Sequence, residues 1–259
     1  MEMHVMLKDY LGMPEEVQGI ALYPIKVLDW EEFAPEAYRF LPYGYDFLKF
    51  RLKASSDIKL FDFLVAIISD EIVNSKSKSH QLLDGIEKMF SLITRQTVKG
   101  YLNTKNQEWW FELEDGSKIN KDNYDEIRDV VMRQNLIFEP LVAPDEFSQK
   151  LIDDAIAILN KKGSPSDLEA MICAVCNSKG VSASEMENYT YYQLRADFEM
   201  SQRLDYSRAI HVYRAQGATV DPPNIAEALS IHENPYGREK LFKRSDRKDD
   251  EKLTKMMQK

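Results

Sequence analysis

Few residues in this chain have the type and spacing for chemistry, and each set has a simpler structural explanation. Cys173 and Cys176 form a Cys-x-x-Cys pair, the spacing used by zinc sites and by thiol redox motifs. A structural zinc takes four ligands, and no second pair or His-x-x-x-His accompanies this one among His4, His80, His211 and His232. The expectation is that both cysteines pack as small apolar residues beside Met171, Ile172 and Val175 in a helix over 167–178. Asp125, Glu126 and Asp129, and Asp153 with Asp154, group carboxylates as an acid–base pair or a metal site would. Solvated helix faces explain them better. There is no glycine-rich phosphate loop, nucleophile elbow or His-Glu-x-x-His. No catalytic residue, metal ligand or cofactor is therefore assigned, and the chain is read as a non-enzyme.

Aromatic and acidic motifs point instead to contacts with other macromolecules. Trp109-Trp110-Phe111 places adjacent rings on opposite faces of a strand, so one face packs inward and the other must be covered or used for stacking. Core packing is the favoured reading. A helix, a Gly180 turn and a second short helix over 183–188 suggest a helix-turn-helix DNA-binding regulator. Its recognition segment Ser184-Glu-Met-Glu-Asn188 is acidic, however, and phosphates would repel Glu185 and Glu187. Net charge agrees: 34 Lys and Arg against 43 Asp and Glu give −9, which disfavours nonspecific binding to nucleic acid or to an anionic membrane. The longest apolar stretch, 61–68, contains Asp62 and is far short of a span, and the first ten residues have no cationic-then-apolar leader. A soluble protein in a reducing cytosol is expected.

The elements that must carry these residues follow from periodicity. With 259 residues and 44% hydrophobic composition the chain can bury a substantial core. The first forty residues are interrupted by Gly12, Pro14, Gly19, Pro24 and Pro35, which predicts extended pieces and short helices. Leu60, Phe61, Leu64, Ile67, Ile68 and Ile72 form one helical stripe, predicting a helix over 58–73. Residues 75–79 are a polar break, and a second helix runs from Gln81 toward Leu92, with 90–98 β-branched enough to become a strand. Residues 98–102 and 108–113 read as an antiparallel hairpin, with Asp115-Gly116 marking a further turn. Asn123-Tyr-Asp-Glu126 matches the capping box at the start of a helix ending near Asn135.

Pro140 and Pro144 mark the best internal boundary, beyond which the pattern is helical: 145–161, then capping boxes at Ser166-x-x-Glu169 and Ser182-x-x-Glu185. The longest helix should run from Thr190 to about Ala215, ended by Gly217, with Asp221-Pro-Pro-Asn224 closing the folded part. The fold class is α+β, mainly α: a small antiparallel sheet with flanking helices in 1–139, and an all-helical module in 145–217. Residues 218–259 form an extended segment and a charged tail. That tail holds nine Lys and Arg against five Asp and Glu over 238–259, so it carries +4 and the rest of the chain −13.

Three stretches carry a family resemblance. The run 119–135, then Asp167-Leu-Glu-Ala-Met171, then Glu187-Asn-Tyr-Thr-Tyr-Tyr-Gln-Leu194, is similar in pattern and order to proteins from tail gene clusters of phages infecting Gram-positive bacteria. Gly19-Ile-Ala-Leu-Tyr-Pro-Ile25 resembles their short extended start. The chain resembles the tail assembly chaperone group, loosely over 19–218 and better over 120–216. The stretch from Gly217 departs from that group's shorter ending, which keeps a structural tail or baseplate role open. The resemblance implies a chaperone in the host cytoplasm that coats the tape-measure protein and brings tail-tube protein to it. The partners are then proteins, with no nucleic acid and no membrane, and a homo-oligomer is allowed.

The expected contact surface is the long helix. Tyr191, Tyr192, Phe198, Tyr206 and Tyr213 exceed what one packed stripe needs, because Tyr191, Leu194 and Phe198 share a face while Tyr192 points about 100° away. Some of these rings should be exposed or buried only in an oligomer, unless neighbouring helices surround this one on several sides.

Overall fold

The computed structural model describes residues 2–55, 58–74, 80–103, 108–162, 167–217, 219–222, 224–225, 227–235 and 237. It shows the expected α+β, mainly α fold. Helix α1 (Glu2–Tyr10) is followed by a tight hairpin of β1 (Glu15–Val17) and β2 (Ile20–Leu22), which pair antiparallel with Val17 opposite Ile20. Gln18 and Gly19 both take positive φ, 48° and 86°, the conformation a two-residue hairpin turn demands. Helix α2 (Trp30–Phe40) contains Pro35 and still forms, because Trp30, Phe33, Ala37 and Phe40 supply a buried stripe at helical spacing. Punctuation alone predicts broken pieces here; the burial of four apolar side chains outweighs the hydrogen bond lost at Pro35.

Helix α3 (Leu60–Asn74) and helix α4 (Gln81–Thr94) flank the second sheet, and both lie within two residues of their expected ends. The stretch 90–98 does not begin a strand early. Helix α4 continues through Ile93, whose side chain is buried, and stops where Arg95 adopts a left-handed φ of 55°. Strand β3 (Val98–Asn103) then pairs antiparallel with β4 (Glu108–Leu113), and β4 pairs with β5 (Lys118–Ile119). Phe111 and Leu113 point inward beside Val98 and Ile119, and Phe111 meets Phe61 and Phe90 edge-on.

Helix α5 (Tyr124–Gln134) closes this core with Tyr124, Ile127, Val130 and Val131. Its start corrects one expectation. Asn123 does not enter a capping box with Glu126: its Oδ1 accepts from the Asn120 amide at 2.9 Å and its Nδ2 donates to the Lys118 carbonyl at 2.8 Å. The side chain ties β5 to α5, while Glu126 accepts from Gln18 Nε2 at 3.5 Å. A second asparagine, Asn135, is fully buried just past the helix. Its Oδ1 accepts from the Ile25 amide at 2.9 Å and its Nδ2 donates to the Val131 carbonyl at 2.8 Å.

After 137–143, which has no regular structure, come α6 (Glu146–Lys162), α7 (Leu168–Lys179), a single 3-10 segment Ala183–Asn188, and α8 (Tyr191–Ala215). The predicted Ser182-x-x-Glu185 capping box is formed. The expected cap residue Ser166, the 75–79 break, most of the 103–107 loop and the charged tail 238–259 lie outside the described residues. The C-terminal helices join the N-terminal half through a short backbone pairing, besides the side-chain contacts of α1 and Leu136 with α8. The Val27 amide donates to the Tyr189 carbonyl at 2.8 Å, the Tyr191 amide donates to the Ile25 carbonyl at 2.9 Å, and the Tyr191 ring stacks on Trp30 with centroids 3.5 Å apart. No helix among the described residues is long and apolar enough to cross a membrane.

The folded part does not close at Asp221-Pro-Pro-Asn224. Residues 227–232 run back along α8, and a 3-10 turn at Ser230–His232 inserts Ile231 between Leu136, Tyr192 and Ala196. Asn135 gives the fold a direct test. Replacing it with Leu leaves the buried Ile25 amide without an acceptor, so urea unfolding should show a loss of about 2 kcal/mol; an unchanged midpoint would show that this amide finds another partner.

Candidate partner-binding surface

Helix α8 begins with a complete capping box: Thr190 Oγ1 accepts from the Gln193 amide at 3.1 Å, and Gln193 Oε1 accepts from the Thr190 amide at 2.8 Å. The cap aims the first turns into the protein, and neighbours cover them on several sides. Leu194 and Phe198 pack with Met171 and Val175 of α7. Tyr191 lies on Trp30. Tyr192 is buried beside Leu136 and Ile231, with its hydroxyl 3.1 Å from His232 Nε2. On a further side α1 runs antiparallel to α8: a side chain at Gly12 would meet Thr190 and Gln193, and Tyr10 Oη donates to Asp197 at 3.2 Å.

The five aromatics singled out in the sequence therefore divide. Tyr192 is buried, and Tyr191 and Phe198 are partly buried in internal contacts of this chain. Tyr206 and Tyr213 are 56% and 57% exposed, as is Val212 at 59%. Gln202, Tyr206, Ala209, Tyr213 and Gln216 follow helical spacing and are all exposed, so the last turns of α8 carry one uncovered stripe with two rings on it. A second uncovered stripe lies on α6, where Phe147 is 74% exposed and Leu151 and Ile158 are also exposed at intervals of four and seven. Beside it a cleft of about 550 Å³ is lined by residues 141–144 with Ser148, Leu151 and Ile152. Apolar stripes of this kind on helices mark places where proteins meet.

The cysteine expectation needs correction. Cys176 is half-buried against the Met171–Val175 cluster, but Cys173 is exposed: the two positions lie only about 60° apart on α7, with Cys176 at the edge of the face that packs on α8 and Cys173 just beyond it. No group of three or more His, Cys, Asp and Glu poised to hold a metal occurs among the described residues. Of the Trp109-Trp110-Phe111 run, Phe111 is core, Trp109 packs against the core edge, and Trp110 on the other face stacks with Tyr101 and lies under Lys118. The supposed recognition helix is the 3-10 segment Ala183–Asn188, with Met186 buried and the Glu185 carboxylate turned back onto the Ser182 amide. It offers no α-helix to lie in a DNA groove.

Sequence reasoning missed a buried polar cluster between α1, α5 and α8. Arg133 donates to Asp9 and, at 2.6 Å, to Glu15 Oε2. Asp9 is buried and its Oδ1 has no partner among the described residues. Burial pushes the Asp9 carboxyl up to about 6 against the pull of Arg133. The Tyr192 hydroxyl is pushed up to about 12, by burial first and then by the Asp9 charge. Asp9 follows Lys8 in a helix of mixed polarity and carries no local signal of burial, and nothing nearby indicates that Arg133 would lie beside it.

No family model, curated protein or solved structure matches this chain.

Asp9 makes a pH-dependent test possible. Its carboxyl keeps its proton to about 6 in the folded chain, against 3.8 for a free side chain. The folded state thus binds more protons between these values, and the contribution of Asp9 to stability falls as pH rises from 4 to 6. Asp9→Asn removes that loss. Relative to wild type, the variant should gain on the order of 2 kcal/mol between pH 4 and pH 7 in urea titrations, and a pH-independent difference would contradict the assignment.

Proposed function

We propose that this protein works by binding other proteins, as a non-catalytic tail assembly chaperone that engages phage tape-measure and tail-tube proteins in the host cytoplasm. The observation that carries the binding role is the uncovered stripe on α8, where Tyr206 and Tyr213 remain exposed on a helix whose first half is fully engaged. Large rings held on a rigid helix lose little freedom on association and serve as interface anchors. The exposed α6 stripe of Phe147, Leu151 and Ile158 adds a second apolar surface suited to amphipathic helices. The particular partners come from the resemblance of 119–135, 167–171 and 187–194 to tail-cluster proteins.

Co-expression with tape-measure and tail-tube proteins followed by pull-down tests the reading. Association is expected, and Tyr206→Ser with Tyr213→Ser should weaken it at least about tenfold while leaving stability within about 0.5 kcal/mol, as for surface positions. Mass spectrometry should find the protein in infected-cell lysate and not in purified particles. Failure to associate with either protein, together with abundance in mature virions, would favour a structural tail or baseplate component.

A further inference from the structure

One face of α8 is built to hold an extended peptide. Tyr192, Ala196, Glu199 and Arg203 recur at intervals of four, three and four, which puts them on a single stripe. The upper half of this stripe is apolar: Tyr192 and Ala196, with Leu136 and Phe138 from the segment after α5, form a socket in which Ile231 is buried. Ala196 gives the socket its depth, since a larger side chain there would fill the space Ile231 takes. The lower half is a charged clamp. Glu199 and Arg203 pair with each other, and both side chains are largely covered.

The clamp reads backbone more than side chains. Glu199 Oε1 accepts from the Ser230 amide at 2.8 Å, and Glu199 Oε2 accepts from the Ile231 amide and the Ser230 hydroxyl, each at 3.0 Å. Arg203 donates to the Glu227 and Ala228 carbonyls, each at 2.7 Å. Four of these five bonds go to main-chain groups, which any extended segment possesses. The contacts that discriminate are the hydroxyl of Ser230, the aliphatic side chain of Ile231 and the His232 ring at the Tyr192 hydroxyl. Burial pushes the Glu199 carboxyl up, but the Ser230 and Arg203 hydrogen bonds outweigh it and hold the group below its usual range, so it stays ionised as an acceptor.

The segment in the groove has one buried side chain, Ile231, followed by the His232 contact to the Tyr192 hydroxyl and the Asn234 Nδ2 bond to the Glu139 carbonyl at 2.9 Å. Among residues 227–233 only Ile231 is buried; Leu229 is partly covered and packs beside it, while Glu227, Ala228, Ser230 and Glu233 are exposed. Segments with one buried anchor and exposed backbone hydrogen bonds open locally at small cost. A strap of this kind occupies the groove as a ligand would.

We propose that this face of α8 is a recognition groove for an extended partner segment bearing a hydroxyl residue followed by an aliphatic one, and that residues 227–232 fill it in cis as a displaceable mimic. Tyr206 lies three residues beyond Arg203 and seven beyond Glu199, so the groove adjoins the exposed rings on the same side of α8; the proposal rests on the Glu199, Arg203 and Ile231 contacts and not on the tail-cluster reading. A partner segment gains access by replacing Ile231 in the socket and Ser230 on Glu199, and binding is thereby coupled to release of the strap.

The probe is a fluorescein-labelled peptide with the sequence of residues 226–234, titrated onto full-length protein and followed by anisotropy. Wild type should bind weakly, because its own strap competes. Ile231→Asp, which unseats the strap and leaves the groove intact, should bind at least about tenfold tighter, and adding Glu199→Ala should remove the gain. A folded Ile231→Asp chain that binds the peptide no better than wild type would overturn the proposal. Hydrogen exchange on wild type gives an independent reading that needs no variant. The Ser230 and Ile231 amides should exchange at least about a hundredfold faster than those of Leu194 and Phe198; equal protection would show that the strap is not displaceable. A wild-type dimer that Glu199→Ala converts to monomer would overturn the partner assignment in favour of strap exchange between two copies of this chain.

Discussion

The C-terminal helices depend on the contact between Trp30 and Tyr191. The two rings lie parallel, and the backbone on either side is locked by reciprocal hydrogen bonds between residues 25–27 and 189–191. This short pairing sets where α8 begins, and the Thr190 capping box sets the direction in which it leaves. Asn135 supports the joint from beneath by holding the Ile25 amide, so a residue after α5 fixes the strand-like segment on which Tyr191 rests. A short polar pairing with one stacked ring pair can do this because its groups are shielded from water, where hydrogen bonds and ring contacts are strongest.

From that joint, the two halves of α8 have different surroundings. Its first half is enclosed by α7, α1, the Trp30 region and the returning strap, each meeting a different face. A helix engaged on four sides needs apolar or specifically paired residues all round, which is why its aromatics do not fall on one stripe. Its last turns pass the end of α1, which at about 1.5 Å per residue reaches only alongside the middle of α8. There the buried seam narrows to Ser201, Ser207 and Ile210, and Tyr206 and Tyr213 are left facing water.

Much of the architecture was legible in the sequence because it rests on local rules. Hydrophobic stripes placed α3, α4, α5, α6, α7 and α8 within a few residues, and the aromatic and β-branched alternation placed β3 and β4. The misses have tertiary causes. Asn123 has the residue spacing of a capping box, but the nearby Lys118 carbonyl and Asn120 amide use both ends of its side chain. Cys173 and Cys176 sit in an apolar helix, yet only one side of that helix has a neighbour. The excess of rings on α8 was visible, whereas the division between Tyr192 inside and Tyr206 outside depends on Leu136 and Ile231, which cover Tyr192 and not Tyr206. The strap was invisible because Pro222, Pro223 and the polar residues around them resemble an ending, and Ile231 alone does not announce a socket formed some ninety residues earlier by Leu136.

The strap and the polar cluster share the side chain of Tyr192, and this links two features that are otherwise separate. Its ring forms one wall of the Ile231 socket and its hydroxyl reaches His232, while Asp9 and Arg133 set the electrostatics around the same hydroxyl. Burial holds His232 below its ordinary value and so favours the neutral ring, with Glu199 acting in the opposite direction. A neutral imidazole can accept from or donate to the Tyr192 hydroxyl, and a protonated one can still donate to its oxygen, so this contact survives in either state of the ring. The groups facing His232 are thus Tyr192 from α8, Glu199 one turn of stripe further on, and the Asp9–Arg133 pair behind Tyr192. Acid neutralises Asp9 near 6, while burial holds His232 neutral to lower pH than a free imidazole. Protonation of Asp9 relieves the buried carboxylate at α1, whereas the strap is held by Glu199, Arg203 and the seat of Ile231, so the pH response of the core arises at the polar cluster and not in the groove contacts.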